Sequence, residues 1–201
     1  MNKLILYKPL HPNFHIFQGF GECSPDICEI YKNMGLKGHN GLDCNRLGTY
    51  VEGAYVRASH DGEVTYAGID SSGGYGVVLK TLEEFDYLGK LFYFKTIYWH
   101  LRKEIQVKVG QKVKVGDVLG YADNTGISKG SHLHFGLKPI LLGENEWTWY
   151  NLEQDNGYFG AIDPASYLSN LSAYEVITTI ASLRAKIAAL VERLAQLLKG
   201  K

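Results

Sequence analysis

Gly130-Ser131-His132-Leu133-His134-Phe135 alternates imidazoles with large apolar side chains and reads as one strand. Successive side chains of a strand point to opposite faces, so His132 and His134 share one face while Leu133 and Phe135 share the other. Two imidazoles side by side on a rigid element suggest a metal site. Most His-x-His pairs are ordinary surface residues, so the reading needs partners elsewhere. Three present themselves: His39 and Asp43 in Gly38-His39-Asn40-Gly41-Leu42-Asp43, and His100 at the end of the apolar run Phe92 to Trp99.

Around this stretch the chain is rich in glycine (23 residues) spread between short β-branched and aromatic runs, which predicts tight turns and a mostly β core. Asp61-Gly62, between Tyr55–Ala58 and Glu63–Gly68, predicts a hairpin turn with His60 exposed beside it. Val77–Lys80 and Leu91–Leu101 read as strands, Val107–Gly120 as short alternating strands, and Leu137-Lys138-Pro139 as the end of the His132/His134 strand. The 37 N-terminal residues read as irregular apart from a strand-like run at Phe14–Gly21, with His11 and His15 as surface or packing residues. The segment 143–162 reads as loop, most of its aromatics Trp147, Trp149, Tyr150, Tyr158 and Phe159 packing on the sheet and one or two lining a substrate groove. Asp163–Leu168 reads as a closing turn or short helix.

Near Tyr174 the composition changes. Val176, Ile180, Leu183, Ile187, Leu190, Leu194 and Leu197 recur at spacings of four and three, a heptad seam on a helix. With a break at Ser169–Ser172, the chain divides into a domain at 1–170 and a coiled-coil-like helix at 171–201. The stripe over 176–197 predicts a homo-oligomer or attachment to a larger assembly.

Lys+Arg and Asp+Glu both number 21, so the net charge is zero and no basic field argues for nucleic acid. No stretch has the length and apolarity of a membrane span. The start, Met1 to Pro9, lacks the apolar core of an export signal. Of three cysteines, Cys23 and Cys28 flank a short loop and could pair. The odd count and missing signal favour free thiols, with Cys44 a small buried residue.

A catalytic zinc takes three protein ligands and leaves a fourth position for water. His39, Asp43 and one of His132 and His134 meet that need. The other strand histidine and His100 are left to accept and donate protons, as amide hydrolysis requires. A structural metal site would close all four positions with protein ligands.

Gly38–Asp43, Tyr98-Trp99-His100-Leu101 and Ser131–Phe135 resemble the three signature blocks of the lysostaphin/LytM-type zinc metalloendopeptidases, Gly-Gly endopeptidase-like peptidoglycan hydrolases. Ala58–Val64, Gly73–Gly76, Val109–Val113 and Ile162-Asp163-Pro164 resemble the connecting text in the same order, so the likeness spans residues 12–168. It implies a mostly β fold, an antiparallel β-sheet groove related to the barrel-sandwich hybrid, followed by the C-terminal α-helix. It implies one Zn2+ held by His39, Asp43 and His134, with His100 and His132 catalytic and Tyr98 and Asn40 as substrate contacts. It also implies hydrolysis of peptidoglycan peptides at the cell wall, the chain being phage-borne or exported by another route. Cys44 and the long connections at Leu82–Lys90 and Leu141–Gly160 depart from the pattern and bear on substrate range. One rival is a non-catalytic binding or activator module of the same fold, which would be expected to lack a zinc ligand. The other is a lipoyl- or biotinyl-type carrier, which needs a modifiable lysine on an exposed hairpin and leaves the histidines unexplained.

Overall fold

The computed structural model of the chain describes residues 2–142 and 149–199. The expected mostly β architecture is present. In chain order the elements are β1 (Leu6–Lys8), β2 (Phe14–Gln18), α1 (Pro25–Asn33), β3 (Leu42–Arg46), β4 (Tyr55–Arg57), β5 (Gly62–Ile69), β6 (Tyr75–Thr81) and β7 (Phe85–Tyr87). There follow β8 (Lys90–Leu101), β9 (Lys112–Val113), β10 (Val118–Tyr121), β11 (Leu133–Leu142), β12 (Trp149–Asn151), a 3-10 turn at Pro164–Tyr167, β13 (Leu168–Ser172) and α2 (Ala173–Lys199).

The main sheet runs β2-β3-β11-β8-β6-β5-β9, every neighbouring pair antiparallel. β12 joins β11 and β7 joins β8 beside that path. One face carries the core: Leu42, Val77, Leu79, Phe94, Tyr98, Leu133, Phe135 and Leu137 are all buried. The opposite face is concave and open. Leu133 and Phe135 therefore point where the alternation predicts, and the histidines between them point into the groove.

Several expectations are corrected. Asp61-Gly62 does not turn a hairpin: β4 pairs with β10, and β5 pairs with β6 and β9. His60 is buried, with Nε2 2.9 Å from Thr96 Oγ1 and Nδ1 2.8 Å from the Asp61 carbonyl. The Asp61 carboxylate instead accepts from the Lys114 ammonium and the Val115 amide, tying this corner to a distant loop. Pro139 lies inside β11 rather than ending it. On that side β3 pairs only with residues 133–135 and β12 with 140–142, so the missing N–H of Pro139 breaks no ladder bond.

The N-terminal stretch contains β1 and α1 besides the expected β2. Pro25 occupies the first turn of α1 and Cys28 bonds to Cys23, so the pair is a disulfide rather than two free thiols. Cys44 is buried and free, as expected. Ser169–Ser172 is not a break: it belongs to β13, which pairs in parallel with β1. Ser172 then caps α2. Its hydroxyl accepts from the Glu175 amide while the Glu175 carboxylate accepts from the Ser172 amide, a reciprocal capping box. Trp147 and the rest of 143–148 lie outside the described residues.

Candidate metal centre

Asp43 and His134 are direct cross-strand partners on β3 and β11. His39 arrives from the loop before β3. His39 Nε2 lies 3.0 Å from Asp43 Oδ1 and 2.9 Å from His134 Nδ1, which is itself 3.1 Å from Asp43 Oδ1. This approach depends on Gly41, because a Cβ there would sit 2.7 Å from the His134 ring and 2.8 Å from the Phe135 carbonyl.

His39 Nδ1–H donates to the Gly19 carbonyl at 3.1 Å, leaving Nε2 as a bare acceptor. Three potential ligand atoms thus meet within 3.1 Å of one another, and the two acceptors among them, His39 Nε2 and Asp43 Oδ1, repel unless a proton or cation lies between them. Tetrahedral ligands held 2.0–2.1 Å from a metal would be about 3.3 Å apart, close to the spacing here. The donor set, two imidazoles and a carboxylate oriented by a backbone carbonyl, fits a divalent cation of the zinc type.

Two further imidazoles flank the trio. His132 Nε2 lies 3.5 Å from Asp43 Oδ1, and its Nδ1–H donates to the Gly130 carbonyl at 2.7 Å. His100 Nδ1–H donates to the Thr125 carbonyl at 2.7 Å, and its ring centroid is 4.6 Å from that of His132. A bulge sets His100 there. On the β6 side, Tyr75 pairs with Leu101 and the next residue, Gly76, with Trp99, so His100 is the extra residue, at φ +62°. Gly76 makes room for Trp99, whose indole N–H donates to Asp70 Oδ2 at 2.9 Å; a Cβ would run into that ring.

Burial would raise the Asp43 pKa, but the His132, His134 and His39 imidazoles packed against the carboxylate outweigh it and hold the carboxyl well below its usual range. Burial, reinforced by neighbouring His132 and His134, brings His100 down to about 4 against the pull of the Thr125 carbonyl. Burial also pushes His134 down, whereas for His132 the contact with Asp43 prevails over burial and raises its pKa.

These groups line one cavity of about 880 Å³, and Asn40 borders it. Tyr98 does not. It is fully buried on the core side, its hydroxyl accepting from the Ser59 amide at 2.9 Å and bonding Thr96 at 3.2 Å, so it is not a substrate contact. The sequence reading missed the cavity's apolar wall. Ile27, Ile30 and Tyr31 of α1 and its C-cap residue Met34 face it with helical spacing. Tyr31 stacks on His39 with centroids 5.8 Å apart, and burial, with Asp43 adding, pushes its hydroxyl up to about 12. Ser24-Pro25-Asp26 was the available signal for that helix.

Residues 37–146 match Peptidase family M23. Over 101 residues the chain is 35% identical to an uncharacterized metalloprotease of Haemophilus influenzae, covering 50% of this chain and 18% of that protein. Over 83 residues it is 39% identical to the glycyl-glycine endopeptidase ALE-1 of Staphylococcus capitis, covering 41% of this chain and 21% of that protein. The chain therefore spans about a fifth of these relatives' length. The catalytic domain of lysostaphin from Staphylococcus simulans shares the fold at a TM-score of 0.53 and 24% identity, over 77% of this chain and 91% of that one. A zinc-containing peptidase from Vibrio cholerae does so at 0.54 and 24%, over 85% and 41%.

Proposed function

We propose that this chain, which belongs to peptidase family M23 and is a metalloendopeptidase of the lysostaphin type, uses one zinc ion to hydrolyse peptide bonds in peptidoglycan stem peptides or cross-bridges. The observation that carries the reading is the convergence of His39 Nε2, Asp43 Oδ1 and His134 Nδ1 within 3.1 Å of one another in an open cavity.

Zinc bound by these three residues would supply the Lewis acid that polarises a scissile carbonyl and acidifies water. The chain's own groups supply the proton handling. His100 is a neutral imidazole at neutral pH, with Nδ1–H committed to Thr125 and Nε2 free to accept a proton. His132, oriented by Gly130 and facing Asp43, can hold a proton and return it to the leaving amine. The α1 wall and Trp99 would confine an extended peptide across the sheet, with Asn40 a candidate contact for its backbone. Having all three ligands together favours this reading over a non-catalytic module. The site of action would be the cell wall. Metal analysis of the purified protein, with digestion of defined muropeptides and mass spectrometry of the products, tests it. Metal-free protein, or zinc-loaded protein that cuts no muropeptide, would refute it.

The two-part division drawn at 1–170 and 171–201 is kept in this proposal with the helix mediating self-association, the first part's last strand β13 running on to Ser172. No helix among the described residues is long and apolar enough to cross a membrane. The first turns of α2 are anchored: Tyr174 stacks on His11, and Ile177 fills the space that Gly116 leaves. Beyond them Ile180, Leu183, Ile187, Leu190, Leu194 and Leu197 are all exposed. Ile180, Ile187 and Leu194 fall at heptad position a; Val176, Leu183, Leu190 and Leu197 fall at d. Mostly β-branched a positions with leucine at most d positions favour a parallel pair. In that pairing Thr179 would flank Arg184, Lys186 would flank Val191 and Arg193 would flank Leu198, so no like charges meet. The occupant is then a second copy. Light scattering should give a dimer for the full chain and a monomer for Ile187→Asp; a monomeric full chain rejects the pairing.

A further inference from the structure

Three lysines stand in one cross-strand row on the open face of the main sheet. Lys138 of β11 is the direct partner of Lys95 on β8, and Lys95 is the direct partner of Lys80 on β6. Directly paired residues share a face, and this row shares the face of His134, because 134 and 138 differ by an even number of strand residues. All three are half-buried. Lys138 lines the cavity that holds the histidines, while Lys95 and Lys80 line an adjoining one of about 290 Å³. Val78 and Trp99 border both, so the two form one continuous groove.

Like charges placed directly opposite on a sheet are destabilising. Lys80 faces Glu63 across β5 and has the Tyr93 ring 4.8 Å from its Nζ. The other two have less. Lys138 Nζ donates to the Phe159 carbonyl at 2.6 Å, and neither Lys138 nor Lys95 has an ion pair with any described residue. Burial pushes both down, and Lys95 adds to the lowering of Lys138 to about 8. Two adjacent cations with no ion-pairing carboxylate among the described residues, held on a groove floor beside Trp99, Val78 and Ile140, cost stability unless an anion repays it.

We propose that Lys138 and Lys95, flanked by Lys80, form an anion subsite that receives a carboxylate of the peptide substrate. The proposal rests on the peptidase reading and deepens it: the groove is built for an acidic stem peptide rather than a neutral glycine bridge. Four strand residues separate His134 from Lys138, roughly 13 Å. An extended peptide covers that distance in about four residues, so the carboxylate would belong to the same peptide whose bond lies over the metal centre.

The test compares zinc-loaded wild type, Lys95→Met, Lys138→Met and the double variant on three probes. These are a cross-linked stem peptide with free carboxylates, the same peptide with its carboxylates amidated, and pentaglycine. In parallel, calorimetry measures binding of an uncleavable analogue of the first two. Wild type should favour the carboxylate peptide by about tenfold or more in kcat/KM and in affinity, as expected for a charge-assisted hydrogen bond. The double variant should lose that preference, its kcat/KM on the carboxylate peptide falling to its own value on the amidated one. A preference that survives in the double variant, or equal losses on charged and amidated peptides, overturns the subsite. Hydrolysis without discrimination rejects the subsite alone. Discrimination in calorimetry with no hydrolysis of any probe rejects the peptidase reading alone.

Discussion

His134 and Lys138 share a strand and a groove, yet their surroundings differ in kind. Around His134 every titratable neighbour has a matched partner: Asp43 touches three imidazoles, and His39, His100 and His132 each donate to a backbone carbonyl. The direct cross-strand partner of Lys138 is another lysine. The first end is held together by contacts among its own side chains and backbone carbonyls. Among the described residues neither lysine of that pair has an ion-pair partner. A cluster of metal-ligating atoms and a row of lysines thus lie about one short peptide apart, the separation that the proposed cleavage of a charged peptide would use.

The sharpest way to break this contrast is to remove a ligand at the first end. His134→Ala should lose metal on dialysis, and with it all measurable hydrolysis. Full metal content in that variant, by atomic absorption, would show the trio is not the metal centre. Removing a proton-handling group is milder. His100→Ala should retain the metal and lose on the order of a hundred- to ten-thousand-fold in kcat. A wild-type rate would make His100 a packing residue of the bulge.

At the lysine end the expected sign is reversed. Lys95→Met relieves a like-charge pair and should raise Tm by up to about 4 °C in a chain of this size. A clear fall in Tm would mean that Lys95 has a stabilising partner. The smallest effect concerns His60, a buried histidine outside the groove. Burial lowers its folded pKa below the unfolded value, so the neutral form is favoured in the fold. Its contribution is intact above about pH 6.5 and declines as pH falls below that value, because the unfolded chain then takes up the proton. Thermal melts of wild type and His60→Gln at about pH 7 and pH 5 should show the smaller acid-induced drop in the variant. Equal drops would mean that His60 is already charged in the fold.

Much of the metal end was legible because its signals are local. The period of two placed His132 and His134 on one face, and the glycines around His39 marked a sharp loop before Asp43. The helix stripe from Val176 to Leu197 was legible for the same reason. The Asp61-Gly62 reading failed because the turn signal is local while the partner of β4 is β10, more than sixty residues away. Tyr98 was misplaced because adjacency to His100 in sequence says nothing about a bulge that turns His100 against the strand's alternation.

The sequence by itself determined which side chains alternate, where glycine is needed, and that four imidazoles and a carboxylate stand in three separated segments. Only the tertiary structure decided which atoms meet. Nε2 of His39 but Nδ1 of His134 approach Asp43, α1 closes the cavity, and Lys80, Lys95 and Lys138 fall into one row. The physical reason is register. Side-chain direction along one strand follows from covalent geometry, but the alignment of strands forty or sixty residues apart is fixed by the packing of Phe94, Tyr98, Phe135 and Leu137 on the far face.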